Sequence, residues 1–140
     1  MTAKEYLRQL WYLDDYINDK YAELSELEST MGIRARPDPN ENVGHSGSTS
    51  DPVASIAIKI VQLQHRLNWK NDQYINLLNT IIGQIDDLDN PDYRSILTKR
   101  YVLHETYKTW EQIADAMGYS VQNCYVIHGK ALQEFAKRYL

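Results

Sequence analysis

Two rows of apolar residues spaced by seven positions constrain the fold of this chain more than any other feature. The first row consists of Leu10, Ile17, Leu24 and Met31, with Leu13 and Leu27 in companion positions. The second row consists of Val53, Ile60, Leu67, Tyr74, Ile81 and Leu88, with Ile56, Leu63 and Leu77 in companion positions. Such spacing forms a seam along one side of a helix, and the seam needs a partner helix. We therefore predict two long helices, over about residues 3–30 and 52–88, that pair as an antiparallel, coiled-coil-like hairpin.

The segment between the two rows predicts a flexible loop. Residues 32–50 lose the apolar period and are rich in proline, glycine, serine and asparagine, which are typical of loops. Asp51 and Pro52 then place an N-cap residue before a proline at the first helical position, which marks the start of a helix. His45 lies in this loop without other ligands at metal-binding spacing, so we expect no metal site and no cofactor.

The second predicted helix is longer than the first, which favours self-association. At 1.5 Å per residue the two helices would measure about 55 Å and about 40 Å. The excess part of the second row, near Leu67, Tyr74 and Ile81, would then have no partner within the hairpin. A homodimer would cover it. The alternative is that this part of the row packs against the C-terminal part of its own chain.

The last third of the chain has the pattern of a helix-turn-helix. Gly118, Tyr119 and Ser120 interrupt two groups of apolar residues with helical spacing: Trp110, Ile113, Ala114 and Met117 before them, and Cys124, Ile127, Ala131, Leu132 and Phe135 after them. Gly118 suits a helix end at positive φ, and Ser120 suits the N-cap of the next helix. Thr109, with Gln112 three positions later, predicts a capping box at the start of the first helix.

These patterns together predict an all-α fold with two domains. Residues 1–88 would form the long hairpin, serving as a dimerisation element, and residues 89–140 a helix-turn-helix domain. Asn90 and Pro91 start the first helix of that domain, which we expect to continue through Tyr101. The last helix, residues 121–139, would lie in the major groove of double-stranded DNA.

The distribution of charge agrees with a nucleic-acid role for the second domain only. The chain has a net charge of −4. Residues 91–140 contain seven Lys or Arg and five Asp or Glu, a net charge of +2, so the remainder carries −6. A basic excess in one part of a chain favours nucleic-acid binding by that part.

The residues that would contact DNA follow from the helical period. If Cys124 and Ile127 face the core, the opposite side of the last helix faces the groove. Amide side chains can pair with adenine, valine can contact a thymine methyl group, and the N-termini of helices can bind phosphate. The predicted DNA contacts are Thr109, Trp110, Ser120, Val121, Gln122, Asn123, Tyr125, Val126, Gly129 and Lys130. We interpret His128, near the edge of the core side, as a packing residue.

Several of these residues carry a resemblance to region 4 of bacterial primary sigma factors. Thr109-Trp110-Glu111-Gln112-Ile113-Ala114 is similar to its scaffold helix, and Cys124, Ile127 and Lys130-Ala131-Leu132 are similar to its recognition helix. Residues 93–101 resemble the preceding helix. The sigma recognition helix usually offers arginines and a glutamate where this chain has Val121, Gln122, Asn123 and Tyr125. This departure from the sigma pattern favours a regulator with its own operator over a true sigma factor.

The whole chain resembles phage-encoded transcriptional regulators of the RinA/ArpU type. The resemblance rests on Asp51-Pro52, Ser120 and the run His128-Gly129-Lys130-Ala131-Leu132. It implies control of phage or prophage genes, often late ones. Host RNA polymerase is then a candidate partner. Two alternatives stay open, a small terminase-like subunit for DNA packaging and a coiled-coil adaptor that binds RNA polymerase or a sigma factor.

Other classes of protein have little support in the sequence. No apolar run approaches the roughly 20 residues of a membrane helix, and the first residues lack a secretory signal, so we expect a cytoplasmic protein. The single cysteine, Cys124, excludes an internal disulfide and is expected to be a buried thiol. No nucleophile stands near a base and no glycine-rich phosphate loop is present, so we expect neither an enzyme nor a small-molecule substrate.

Overall fold

The regular structure of the chain is helical. The structure, a computed structural model, describes residues 1–34 and 51–140. Five α-helices and one π-helical turn make up these two ranges, which contain no strand. The elements are α1 (Ala3–Arg34), α2 (Pro52–Asp86), α3 (Pro91–Leu97), the π-turn (Thr98–Val102), α4 (Trp110–Met117) and α5 (Val121–Tyr139). For residues 1–34 and 51–140, the prediction of an all-α fold is confirmed.

The two long helices begin at side-chain caps. At α1, the Thr2 amide donates to Glu5 Oε2 (2.8 Å) and the Glu5 amide donates to Thr2 Oγ1 (3.2 Å), which is a capping box. At α2, Asp51 Oδ1 accepts from the Val53 amide at 3.0 Å. The described part of the chain contains no helix that is long and apolar enough to cross a membrane.

The lengths of these helices differ from the prediction. Helix α1 contains 32 residues and α2 contains 35, so the expected excess of α2 over α1 is small. Helix α1 continues through Gly32 to Arg34, where the sequence predicted the start of a loop. The rest of that predicted loop, residues 35–50 with His45, lies outside the described residues.

The described residues form two compact units. Unit 1 contains Met1–Asp14 together with Gln73–Leu140, and unit 2 contains Asp15–Asp72. The buried core of unit 1 combines all the helices that enter it: Ala3, Leu7, Leu10, Ile81, Ile85, Leu88, Ile96, Leu97, Tyr101, Ile113, Ala114, Cys124, Ala131 and Phe135. Six of these side chains precede residue 89. Independent folding of residues 89–140 stays a prediction, but a fragment without these six side chains would expose part of its core.

Unit 2 is built on one side of each long helix. Its buried side chains are Ile17, Ile56, Ile60, Leu63 and Leu67. The Asn71 amide group donates to Tyr21 Oη at 3.0 Å, and the Lys70 ammonium lies 5.0 Å from the centre of the Tyr16 ring. These contacts join α1 and α2 within the unit.

The apolar row that was expected to lack a partner is covered within the chain. Leu67 is 2% exposed in unit 2, and Ile81 is fully buried in unit 1, where Tyr74 also packs against the core. The argument for a dimer from this row is therefore wrong, because α1 is longer than expected and the C-terminal helices also cover α2. A charge at Leu67 or Ile81 would destabilise the fold and would not simply separate subunits.

Leu7 tests the contribution of α1 to unit 1. Replacing this fully buried side chain by alanine removes apolar contacts and leaves a cavity, so Leu7→Ala should lower the free energy of unfolding by about 2–5 kcal/mol. Urea denaturation followed by tryptophan fluorescence measures the change. Ile82→Ala is the matched control, because Ile82 is 37% exposed and should cost less than about 1 kcal/mol. Equal stabilities of the two variants would show that residues 89–140 do not need α1.

Candidate nucleic-acid interface

Helix α4 begins at the predicted capping box. Thr109 Oγ1 accepts from the Gln112 amide at 3.2 Å, and Gln112 Oε1 accepts from the amides of Thr109 (3.1 Å) and Lys108 (2.7 Å). The Thr109 side chain is exposed, and its hydroxyl group still has a proton to donate. The start of α4 is therefore determined by hydrogen bonds among Lys108, Thr109 and Gln112, which are at most four positions apart.

Gly118 determines the turn between α4 and α5. Its φ of 73° is the one positive value in the described ranges, and its amide donates to the Ala114 carbonyl at 2.9 Å. A side chain at this backbone conformation would cost roughly 1 kcal/mol. The Tyr119 hydroxyl donates to Asp92 Oδ2 at 2.9 Å, which joins the turn to α3.

Ser120 caps the start of α5. Its Oγ accepts from the Asn123 amide at 3.1 Å.

Helix α5 has one buried and one exposed side. Cys124, Ala131 and Phe135 are buried among the core residues of unit 1, and Ile127 packs against them. The predicted DNA contacts on the opposite side are exposed: Gln122, Asn123, Tyr125, Val126, Gly129 and Lys130. Ser120 before the helix is also exposed, whereas Val121 is half-buried against the core. The period of the sequence therefore assigned the exposed face of α5 correctly, and its contact with DNA stays a prediction.

Trp110 is half-buried in an aromatic cluster. Its ring forms T-shaped pairs with Tyr125 (5.1 Å between centroids) and His128 (4.9 Å), and the Arg100 guanidinium lies 4.6 Å from its centre. Arg100 also lies 4.9 Å from the Trp11 ring. Trp110 thus positions Tyr125, another predicted DNA contact, as well as a cation that the sequence did not indicate.

His128 contributes packing to this cluster. Its Nε2 lies 2.8 Å from the Tyr101 hydroxyl, and its ring stacks on Tyr101. Burial lowers the pKa of His128 to about 4, and the charges of Arg100, Lys4 and Arg8 add to this effect. Burial raises the pKa of Tyr101 to about 12. The imidazole is therefore neutral and the phenol protonated at neutral pH, as expected for a packing histidine.

Three basic residues near this cluster were not among the predicted contacts. Arg100, Lys4 and Arg8 are close enough to affect the pKa of His128. Arg8 lies 5.5 Å from the Trp11 ring, and its buried Nε has no hydrogen-bond partner among the described residues. Lys4 and Arg8 are four positions apart, which indicates that they share one face of α1 but not that this face lies near His128. Unit 1 therefore gathers cations from α1 and the π-turn.

We compared the chain with known protein families, curated proteins and solved structures. No family model, no curated protein and no solved structure matches the chain.

The low pKa of His128 predicts a specific dependence of stability on pH. Its folded value of about 4 lies below the ordinary 6.5, so the unfolded chain binds the proton first and stability falls as the pH drops from about 6.5 towards 4. His128→Gln should remove this part of the loss, which is about 3 kcal/mol between the two pKa values. Chemical denaturation of both proteins at a series of pH values measures it. Parallel curves would show that the histidine is not held neutral.

Proposed function

We propose that this protein is a sequence-specific DNA-binding transcriptional regulator. Helix α4, the turn at Gly118 and helix α5 would act as a helix-turn-helix similar to sigma region 4, with α5 in the major groove. The observation that carries the proposal is the exposed face of α5, where amide, apolar and basic side chains lie opposite a fully buried face.

The first part of that face has the chemistry needed to recognise bases. Gln122 and Asn123 are exposed in the first turn of α5, the part that enters the groove most deeply in helix-turn-helix proteins. Val126 and Tyr125 are 54% and 50% exposed, so an apolar group and a phenol stand beside the two amides. Amides can pair with adenine, and a valine methyl group can pack on the methyl group of thymine.

Gly129 further supports an external partner. Glycine within a helix costs about 1 kcal/mol relative to alanine. A Cβ atom built at Gly129 would meet nothing within 4 Å, so the packing of the chain does not require a glycine there. Close approach of a DNA backbone to α5 would require one.

The arrangement of cations supports phosphate binding beside this face. Lys130 lies on α5, Arg100 lies over the Trp110 ring, and the charges of Lys4 and Arg8 act on His128. Basic side chains and helix N-termini bind phosphate whatever the sequence, and so they orient the protein on DNA. Ser120 and Thr109, at the starts of α5 and α4, are exposed and belong to the same proposal.

Unit 2 would be the assembly element, formed by the hairpin of α1 and α2. Its contacts follow an antiparallel order, because Tyr16 and Tyr21 meet Lys70 and Asn71, whereas Leu27 lies beside Lys59. One row of α2 in this unit is exposed: Ala54, Ile58, Val61, His65 and Trp69. Ile58, Val61 and Trp69 are 58%, 50% and 58% exposed. At 100° per residue these five positions lie within an arc of about 80°.

A second copy of this chain is the partner that fits this row. Residues 52–71 contain Lys59, Arg66 and Lys70 and no acidic residue, whereas residues 15–34 contain five acidic and two basic residues. A second copy would therefore offer an identical apolar row together with an acidic helix for the basic one. Dimeric helix-turn-helix proteins bind half-sites about 34 Å apart, so we expect a palindromic or repeated operator.

The biological setting belongs to the same proposal. The resemblance to RinA/ArpU-type regulators favours control of phage or prophage genes, with host RNA polymerase as a further partner. The exposed row on α2 also suits a terminase-like packaging subunit, which would form a ring larger than a dimer. The mass of the assembly in solution distinguishes these two functions.

Substitutions on α5 test the recognition helix. Gln122→Ala should leave the fold intact and cost about 1–3 kcal/mol of binding at one position of the operator. Lys130→Ala should weaken binding to all sequences alike and lower the salt dependence by roughly one unit. Gln133→Ala is the control, because it is exposed on the same side of α5 about three turns beyond Gln122. Binding titrations against operator and random duplexes, at several salt concentrations, measure these effects.

One outcome of that experiment would favour the adaptor hypothesis. If Gln122→Ala and Lys130→Ala bind DNA like the wild type and instead lose a contact to polymerase or a sigma factor, α5 is a protein-binding helix.

Charges on the exposed row of α2 test the dimer. Ile58→Glu with Val61→Glu should give monomers and weaken operator binding more than non-specific binding, because only the operator uses two recognition helices. Light scattering measures the mass, and Gln64→Glu, an exposed position on α2 outside the row, is the control. A wild-type protein that is monomeric at micromolar concentration would contradict the dimer.

A further inference from the structure

Three side chains of types that can bind metal converge in unit 1. One ligand atom from each of Asp14, His104 and Glu105 lies within 4.8 Å of the others. His104 Nε2 lies 3.0 Å from Asp14 Oδ2 and 3.5 Å from Glu105 Oε1. Asp14 is on α1, and the other two residues follow the π-turn. Sequence spacing could not indicate this cluster, since 90 positions separate Asp14 from His104.

The hydrogen bond at Nδ1 of His104 leaves its Nε2 to face the two carboxylates. Its Nδ1 lies 3.2 Å from the Tyr101 carbonyl oxygen, which can only accept a hydrogen bond, so Nδ1 carries a proton. Two anions beside Nε2 need a positive charge between them and the ring, which either a proton or a metal ion can supply. An imidazole that donates Nδ1–H to a carbonyl group is also the usual state of a metal-bound histidine.

The distances around Nε2 also suit a metal ion. A proton on Nε2 forms a good hydrogen bond to one carboxylate, whereas a divalent ion compensates both. Bonds of about 2.0–2.2 Å in a tetrahedral zinc site put neighbouring ligand atoms about 3.3–3.6 Å apart. The distance from Nε2 to Glu105 Oε1, 3.5 Å, lies within that range, and the distance from Nε2 to Asp14 Oδ2, 3.0 Å, is slightly shorter. Zinc therefore fits after small side-chain movements.

The ligands differ in how firmly the fold holds them. The side chains of His104 and Asp14 are 17% and 20% exposed, and the His104 ring lies 6.3 Å from the Trp11 ring between centroids. Glu105 is 65% exposed. Two ligands are therefore positioned by packing, and the third is at the surface, where an ion can enter.

We propose that Asp14, His104 and Glu105 bind one divalent transition-metal ion, with zinc as the best fit. Imidazole favours zinc, nickel and copper over magnesium and calcium. Three protein ligands leave a fourth position for water. The bound ion would tie α1 to the segment that precedes α4, and this does not depend on the proposed DNA binding.

Zinc titration of the full-length protein tests the site. Calorimetry should show one zinc ion per chain, and Co²⁺ should give the visible absorption of a tetrahedral site. His104→Ala should weaken zinc binding at least 100-fold, about 3 kcal/mol. Glu105→Gln should weaken it about tenfold without affecting the fold, because Glu105 is exposed. His65→Ala, which removes an exposed histidine on α2, should bind like the wild type.

Two results would overturn the proposal. One is the absence of zinc binding by the wild type at millimolar zinc. The other is wild-type affinity in both His104→Ala and Glu105→Gln, which would place the bound ion elsewhere. In either case His104 and Asp14 form an ordinary ion pair.

Discussion

The contact between Tyr101 and its aromatic neighbours holds unit 1 together. Tyr101 is fully buried, stacks on Trp11 of α1 at 5.2 Å, and places its hydroxyl group 2.8 Å from His128 of α5. One side chain thus joins three elements that are far apart in the sequence. A buried phenol without a partner would cost about 1–3 kcal/mol, so the neutral state of His128 is part of the stability of the core. The position of Arg100 between Trp11 and Trp110 depends on the same stack.

Features that depend on neighbouring residues could be predicted from the sequence. The capping box of Thr109 and Gln112, the helix end at Gly118 and the cap at Ser120 each involve groups within four positions, and all three are confirmed. Asn90 Oδ1 likewise accepts from the Asp92 amide at 2.8 Å and starts α3. A cap is formed by a side chain and a backbone amide only two or three positions away. A short sequence pattern is therefore enough to predict it.

The partner of each apolar row could not be predicted in the same way. An apolar seam shows that one side of a helix is buried. It does not show which helix packs against that side, because any apolar helix of suitable size can do so. Leu7 and Leu10 contribute to the core shared with Ile96 and Phe135, whereas the sequence assigned α1 to a hairpin alone. The same limit applies to the candidate site. The exposed face of α5 follows from its period, but Lys4 and Arg8 reach the cluster near His128 only through tertiary packing.

The π-turn explains how this short segment serves both the core and the surface. The Leu103 amide donates to the Thr98 carbonyl at 2.8 Å, five positions earlier, so the turn contains one residue more than an α-helical turn. An extra residue rotates everything after it by about 100° relative to a continuous α-helix. In the observed register Tyr101 points into the core, Arg100 lies over Trp11 and Trp110, and His104 reaches Asp14. Positions 100–104 therefore contribute residues to the aromatic core, to the cations near Trp110 and to the proposed metal site.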